Sequence, residues 1–311
     1  MLAIVAPGQG SQTPGFLTPW FEHFAAVPQI AQMVEHWSTL SGVDLKHLGT
    51  TADADEIRDT ANAQPLLLLG AMTGAGALFA GNDEAIAVVA GHSVGEIAAA
   101  TFAKILNADD AFTLVSARGR EMAKAAKSSD TGMSAVLGGD REVVVKHLLS
   151  LGLTAANENG AGQIVAAGSL TALAALSENP PEGARVRPLQ VAGAFHTQAM
   201  APAVAPLSEL AAKTSANDPA LRIISNKEGS EVKNGREFLD RIVGQIAGPV
   251  RWDLCMDTLA AMGVTGVIEM PPAGTLVGLI KRAHPEIETF ALKLPEDLDS
   301  AREFVAKHGG K

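Results

Sequence analysis

Five residues constrain this chain more than any others. Gly91-His92-Ser93-Val94-Gly95 stands between the apolar run Ala85-Ile86-Ala87-Val88-Val89-Ala90 and an alanine-rich stretch from Glu96 to Ala103. A strand, a glycine-bracketed serine and a helix in that order form the context of a G-x-S-x-G nucleophile elbow. The turn is tight, so the residues flanking the serine must lack bulk, and glycine also tolerates positive φ. The hydroxyl is thereby lifted above the strand. The next backbone N–H then lies at a helix N-terminus, where an oxyanion is stabilised. The alternative is an ordinary strand-to-helix turn whose glycines serve packing.

The surrounding pattern predicts an α/β fold: a large domain with a mostly parallel sheet, hydrolase-like in its elbow, and a smaller inserted unit. Leu2 to Ala6 reads as a buried strand ending at Pro7-Gly8-Gln9-Gly10. Helices are expected over Pro28–Leu40, Asp53–Thr60 and Gln64–Phe79, the last with Pro65 in its first turn, where a missing N–H costs nothing. Asp109 to Ala126 follows the elbow helix as an amphipathic helix capped at Asn107 or Asp109. From about residue 130 the texture changes. Met133–Leu137, Leu153–Asn157, Gln163–Ala167 and Ala184–Val191 read as strands. Asp140–Leu149 and Ser169–Ser177 read as helices, and Asn159-Gly160 as a turn. That βαββαβ order is the split arrangement of a ferredoxin-like domain. The expected division is 1–129 with 193–311 for the catalytic domain and 130–192 for the insert. Later helices are expected over His196–Lys213, Gly235–Ile246 and Ala273–Arg282, with strands at Leu221–Ser225 and Gly266–Met270.

Composition narrows the function classes. The net charge of −10 over 311 residues, with no Lys/Arg run, argues against a nucleic-acid binder. The single cysteine, Cys255, excludes a disulfide framework, suits a reducing compartment and reads as a small core residue. Met1 to Ala6 lacks a basic flank, so no signal peptide is expected there. Pro65–Ala80 is short of the about twenty apolar residues of a membrane span. The expected setting is cytoplasmic.

A serine nucleophile needs a base, and histidine has its pKa near the working pH. Of the eight histidines, His23, His36, His47, His147, His284 and His308 sit in polar or helical contexts and read as solvated or locally hydrogen-bonded. His92 adjoins the serine, but neighbouring side chains on a turn diverge, so it reads as pocket lining. His196 lies at a strand-to-helix junction in Val191-Ala192-Gly193-Ala194-Phe195-His196-Thr197, from which it could reach the mouth of the sheet. Gly8-Gln9-Gly10-Ser11-Gln12 lets backbone N–H groups approach a ligand. It contains neither Gly-Lys-Ser/Thr nor G-x-G-x-x-G, so a phosphate loop is disfavoured. Arg118, on the helix after the elbow, would pair bidentately with a carboxylate if it faced a cleft, and would otherwise be a surface arginine.

Gly8-Gln9-Gly10-Ser11-Gln12, Gln64-Pro65, Gly91-His92-Ser93-Val94-Gly95-Glu96, Arg118-Gly119, Ala194-Phe195-His196 and Pro249-Val250-x-Trp252 occur in this order. Together they resemble the malonyl-CoA:acyl-carrier-protein transacylases of type II fatty-acid synthesis and the related acyltransferase domains of polyketide and fatty-acid megasynthases. The resemblance runs from about residue 4 to 295. It implies that Ser93 is the nucleophile and His196 the base, with an oxyanion hole from the N–H groups of Gln9 and Val94. Arg118 would hold the malonyl carboxylate, and the main-chain carbonyl of Gln245 would orient His196. Gln64, His92, Met122, Asn159 and Phe195 would line the pocket. The implied partners are a coenzyme A thioester and acyl carrier protein, with no metal or redox cofactor. Gly248 stands where asparagine is common in the family, and Gly193 where some members have histidine.

Two other readings stay open on sequence. A serine thioesterase would use the same elbow and histidine, with an acid such as Asp130, Asp140 or Glu158, all in or beside the insert. A non-catalytic carrier-binding module would need neither. Lys281-Arg282 and Arg185/Arg187 are candidate contacts for an acidic carrier. The start at Met1 and a short polar tail over Glu303–Lys311 suggest a stand-alone enzyme.

Overall fold

A computed structural model of the chain describes residues 1–81 and 83–310. Lys311, the end of the expected large domain and tail, lies outside the described residues. The first half contains β1 (Leu2–Ala6), α1 (Thr18–His23), α2 (Pro28–Ser41), α3 (Leu45–Thr50), α4 (Ala54–Arg58), α5 (Thr60–Phe79), β2 (Ile86–Gly91), α6 (Gly95–Phe102) and α7 (Ala108–Ala126). Then come β3 (Thr131–Gly138), α8 (Arg141–Ser150), β4 (Thr154–Glu158), β5 (Gln163–Ser169), α9 (Leu170–Glu178) and β6 (Ala184–Pro188). The chain continues with α10 (Val204–Lys213), β7 (Arg222–Ile224), α11 (Gly235–Gln245), β8 (Val250–Arg251) and α12 (Trp252–Ala261). It closes with β9 (Gly266–Glu269), α13 (Thr275–Ala283), β10 (Glu288–Ala291) and α14 (Leu298–His308).

Two sheets organise these elements. The first has the order β10-β9-β1-β2-β7, and each of its pairings is parallel. Every residue of β1 is buried, as expected for a strand covered by helices on both faces. The second sheet has the order β6-β3-β5-β4-β8. Its β3–β5, β3–β6 and β4–β5 pairs are antiparallel, and β8 joins β4 in parallel. Val250–Arg251 thus adds an edge strand from outside the expected insert.

Helix starts follow their caps. Asn107 accepts the Asp110 N–H and opens α7, Asp140 opens α8 and Ser169 opens α9. Such a cap contributes about 1 kcal/mol. The α5 helix begins earlier than the proline signal suggests. Asp59 caps it by accepting the Ala61 N–H, so Pro65 lies inside the helix and not in its first turn. An interior proline costs about 3 kcal/mol. Burial of Leu66, Leu67, Leu68 and Leu69, at roughly 1.5–3 kcal/mol each, outweighs that.

Two further expectations change. His196 to Lys213 is not one helix: His196 has φ +62°, a 3-10 segment covers Gln198–Ala203, and α10 starts only at Val204. Pro202 has no N–H to donate in that stretch. The β6 strand stops at Pro188, and Leu189–Val191 instead line a cavity. Of the polar tail, residues 303–308 are helical, as the end of α14, whose Ala301 is buried. Among the described residues, no helix is long and apolar enough to cross a membrane.

Candidate active site

The site lies where β2 ends. The His92 N–H donates to the Ala6 carbonyl at 3.0 Å, which ties the ends of β1 and β2 together. The loop after β1 is thereby brought beside the elbow. A Cβ at Gly8 would stand 2.8 Å from His92 Nδ1, one at Gly95 would fall on the Ala6 carbonyl, and one at Gly91 on the Gly95 carbonyl. The glycines are therefore required by close backbone approach. Ser93 itself holds φ +54°, the left-handed conformation of a nucleophile elbow.

Ser93 Oγ lies 2.8 Å from His196 Nε2. His196 Nδ1 lies 2.8 Å from the main-chain carbonyl of Gln245. A carbonyl can only accept, so Nδ1 carries the proton and Nε2 faces the serine hydroxyl as an acceptor. Burial, and then the positive charge of Arg118, pushes His196 down to about 3, against the opposing Gln245 bond. The ring is neutral at neutral pH and ready to take a proton. Its Nδ1 partner is a carbonyl, whereas Asp140 caps α8 and Glu158 pairs with Arg141.

Arg118 is 1% exposed, although arginine is almost never fully buried unless paired. Its Nη1 donates to Gln64 Oε1 at 2.8 Å, and its Nη2 reaches Ser93 Oγ and Gln245 Oε1, each at 3.3 Å. Its Nε has no hydrogen-bond partner. Burial lowers its pKa to about 10, with the Glu96 carboxylate opposing, so it stays charged at neutral pH. A charged guanidinium that lines the cavity with its Nη2 beside the serine hydroxyl suits a ligand carboxylate.

A cavity of about 490 Å³ opens over these groups, lined by Gln9, Gln64, His92, Ser93, Val94, Arg118, Met122, Asn159, Phe195 and His196. Among the described residues, neither the Gln9 nor the Val94 N–H has a protein acceptor. Both remain available to a ligand oxygen. His92 Nε2 bonds Asn159 Oδ1 at 2.9 Å, and burial holds the ring below its ordinary pKa. Gln64 Nε2 also contacts Met122 Sδ at 3.5 Å. The eleven residues that the resemblance assigned to the site therefore lie around one space, Gln245 standing behind His196 and Arg118. Leu189 and Gln190 follow the exposed Arg187 and line the cavity, as do Thr275 and Leu276 at the start of α13. Exposed Lys281 and Arg282 lie in that helix's last turn.

Two residues of the site escaped sequence reasoning. Asn226 is fully buried, accepts the Ser93 N–H at 2.7 Å and donates to the Gly91 carbonyl at 2.7 Å. Glu96, 1% exposed, accepts the Asn226 N–H at 2.7 Å and the Gln245 side-chain N–H. A signal existed for Glu96, the only charged residue in the helix Gly95–Phe102. None existed for a single asparagine after a three-residue strand.

The acyl transferase domain family matches residues 4–301. The chain is 49% identical over 304 residues to the malonyl CoA-acyl carrier protein transacylase of Mycobacterium tuberculosis, covering 96% of this chain and 98% of that one. It is 31% identical over 308 residues to the Escherichia coli (strain K12) protein of the same name, covering 97% and 99%. The crystal structure of MCAT from M. tuberculosis superposes with a TM-score of 0.91 at 48% identity, covering 97% of this chain and 99% of that chain. The malonyl-transacylase solved with its holo type II PKS acyl-carrier protein gives a TM-score of 0.89 at 27% identity, covering 97% and 99%.

Proposed function

The chain belongs to the acyl transferase family, and from that premise we propose that it carries a malonyl group from malonyl-CoA to the phosphopantetheine thiol of acyl carrier protein, through an ester on Ser93. The observation that carries this reading is one hydroxyl with two neighbours: Ser93 Oγ lies 2.8 Å from a neutral His196 Nε2 and 3.3 Å from the Arg118 guanidinium. The first makes a nucleophile, and the second selects an acyl group ending in a carboxylate.

His196 takes the Ser93 proton as Oγ attacks the thioester carbonyl. Negative charge develops on the carbonyl oxygen and meets the N–H groups of Gln9 and Val94. Losing one such donor costs about 2.7–4 kcal/mol. The C–S bond breaks, His196 returns its proton to the departing thiolate, and a malonyl ester remains. The carrier thiol enters the same cavity, loses its proton to His196, and attacks the ester. Ser93 recovers its proton from His196 as it leaves. Thioester is exchanged for thioester, so concentrations set the direction, and no cofactor beyond the substrates enters the scheme.

The βαββαβ order of β3 to β6 supports reading 130–192 as a ferredoxin-like domain set into the α/β catalytic domain of 1–129 and 193–311. Its strand β5 supplies Gln163 and Val165 to the cavity wall. The cytoplasm is the setting that supplies both substrates.

The test is intact mass and peptide mapping after mixing the protein with malonyl-CoA alone. A lasting malonyl adduct on Ser93, discharged by a carrier thiol, supports the transferase. Rapid release of free malonate without an adduct supports a hydrolase instead.

A further inference from the structure

Behind Ser93, His196 and Arg118 stands a buried carboxylate to which the mechanism assigns no role. Glu96 lies in the first turn of α6, one residue beyond the elbow. Resting on the transferase reading, we propose that Glu96 is a positioning residue: its carboxylate is the shared anchor of Asn226, which pins Ser93, and of Gln245, which orients His196 and holds Arg118.

The bonds run in one direction. Oε1 accepts the Asn226 N–H at 2.7 Å, and Oε2 accepts the Gln245 side-chain N–H. From Asn226 the path reaches both ends of the elbow, because Oδ1 accepts the Ser93 N–H and Nδ2 donates to the Gly91 carbonyl, each at 2.7 Å. From Gln245 it divides. The main-chain carbonyl accepts from His196 Nδ1 at 2.8 Å, and Oε1 accepts from Arg118 Nη2 at 3.3 Å. Gln245 Nε2 also donates to Asn226 Oδ1 at 3.1 Å, which closes the circuit.

Only an acceptor with two free oxygens fits this place. An amide or a protonated carboxyl would set a donor against the Asn226 or Gln245 N–H. Gln245 could turn its amide to escape, but its NH₂ would then face Arg118, whose guanidinium has no acceptor. Either adjustment loosens one branch.

Charge works in the same direction. When His196 takes the serine proton, the imidazolium forms against the field of Arg118, which already disfavours it. The ionised Glu96 carboxylate pairs electrostatically with Arg118 and offsets that field. Arg118 from α7 and Cys255 from α12 are the charged or titratable groups facing Glu96; Asn226, Ser225 and Gln245 are its neutral neighbours. The α5, β1 and β2 elements, which also pack on α6, carry no titratable side chain. Arg118 stays charged and the Cys255 thiol, pushed up by burial, stays neutral around neutral pH. Burial raises the Glu96 carboxyl to about 7, so it changes charge in the working range.

The experiment is single-turnover acylation of wild type and Glu96→Gln with malonyl-CoA and with acetyl-CoA, followed by intact mass between about pH 5.5 and 8.5, with thermal unfolding of both proteins. The expected result is acylation about ten- to a hundredfold slower with either acyl group, a lower malonyl-to-acetyl ratio, and loss of the wild-type rise in rate through about pH 7. Wild-type rate, ratio and pH profile in Glu96→Gln, with only a lower Tm, overturn the proposal. Should Glu96→Gln fail to fold, Glu96→Asp decides: its shorter carboxylate cannot keep both bonds, so slower acylation with either acyl group and a lower malonyl-to-acetyl ratio support the role, and wild-type rate and ratio overturn it. A wild type that forms no Ser93 adduct at any pH overturns the transferase reading itself, a result distinct from an active wild type matched by its variant.

Discussion

Ser93 and His196, 103 positions apart in the chain, meet with Oγ and Nε2 at 2.8 Å, and both hold a left-handed backbone, at φ +54° and +62°. Each such conformation costs a non-glycine residue about 1–3 kcal/mol and persists only where the surroundings over-determine it. At Ser93 the surroundings are the close-packed glycines and the Asn226 side chain. At His196 they include the Gln245 carbonyl.

Ser93 therefore permits a separation of chemistry from strain. Ser93→Gly removes the nucleophile and the steric cost together, whereas Ser93→Ala removes only the nucleophile. Both variants are expected to lose the malonyl adduct. The glycine variant should be more stable than the alanine variant by about 1 kcal/mol. Intact mass reads the first expectation and urea denaturation the second. Equal stability would mean that the turn stores no strain at this residue.

Arg118 sets the substrate class in the proposed reaction. A charge-assisted bond to a carboxylate contributes about 1.5–3 kcal/mol. Arg118→Ala should therefore lower the preference for malonyl-CoA over acetyl-CoA by about ten- to a hundredfold. A competition assay with both thioesters in one tube measures this. An unchanged preference would remove Arg118 from carboxylate recognition and leave it a buried structural cation.

His196 links the site to acid stability. Burial first, then Arg118, holds its folded value near 3, below the ordinary 6.5. The unfolded chain thus takes the proton first as pH falls. Stability is fully present above 6.5 and declines as pH drops toward 3, by up to about 1.4 kcal/mol per unit. Glu96 runs the other way: its raised value gives stability present below 4.5 and lost as pH rises through about 7. Subtracting His196→Gln from wild type cancels that contribution. The wild-type advantage in urea denaturation should shrink between about pH 7 and pH 5. A constant gap would mean that His196 titrates near its ordinary value.

The legible parts of this molecule are those whose physics is local. The elbow could be read from Gly91-His92-Ser93-Val94-Gly95 because a tight strand-to-helix turn dictates residue size at each position. The α8 and α9 helices could be placed because Asp140 and Ser169 cap them within three residues of sequence. The burial of Arg118 could not, since the same helix pattern allows a surface arginine, and only the resemblance pointed inward. Asn226 was silent because its function exists only after β7 pairs beside β2 and brings it to Ser93, 133 positions away. Glu96 left one mark, a lone charge in its helix, yet by itself that also fits an ordinary acid near a helix N-terminus. Its inward turn depends on Asn226 and Gln245, neither of which is near it in sequence.

Phe195 carries the remaining specificity expectation. It is 6% exposed, precedes His196 and lines the cavity that holds Ser93 and Arg118. In the proposed ester, Arg118 holds the distal carboxylate, and the reading sets the ring beside the carbon between carboxylate and ester. A methyl branch on that carbon would compete with the ring for space. One methylene of discrimination in a pocket is worth about 1–3 kcal/mol, or about 10- to 200-fold. Phe195→Ser should therefore raise the methylmalonyl-to-malonyl ratio of Ser93 adducts toward that range, with the malonyl rate itself no higher. Removing a buried ring also destabilises the fold, so absolute rates would mix two effects. The ratio is formed on the same folded molecules from one mixture of both thioesters, and the unfolded fraction cancels from it. A ratio equal to wild type would identify Phe195 as core packing that happens to border the cavity.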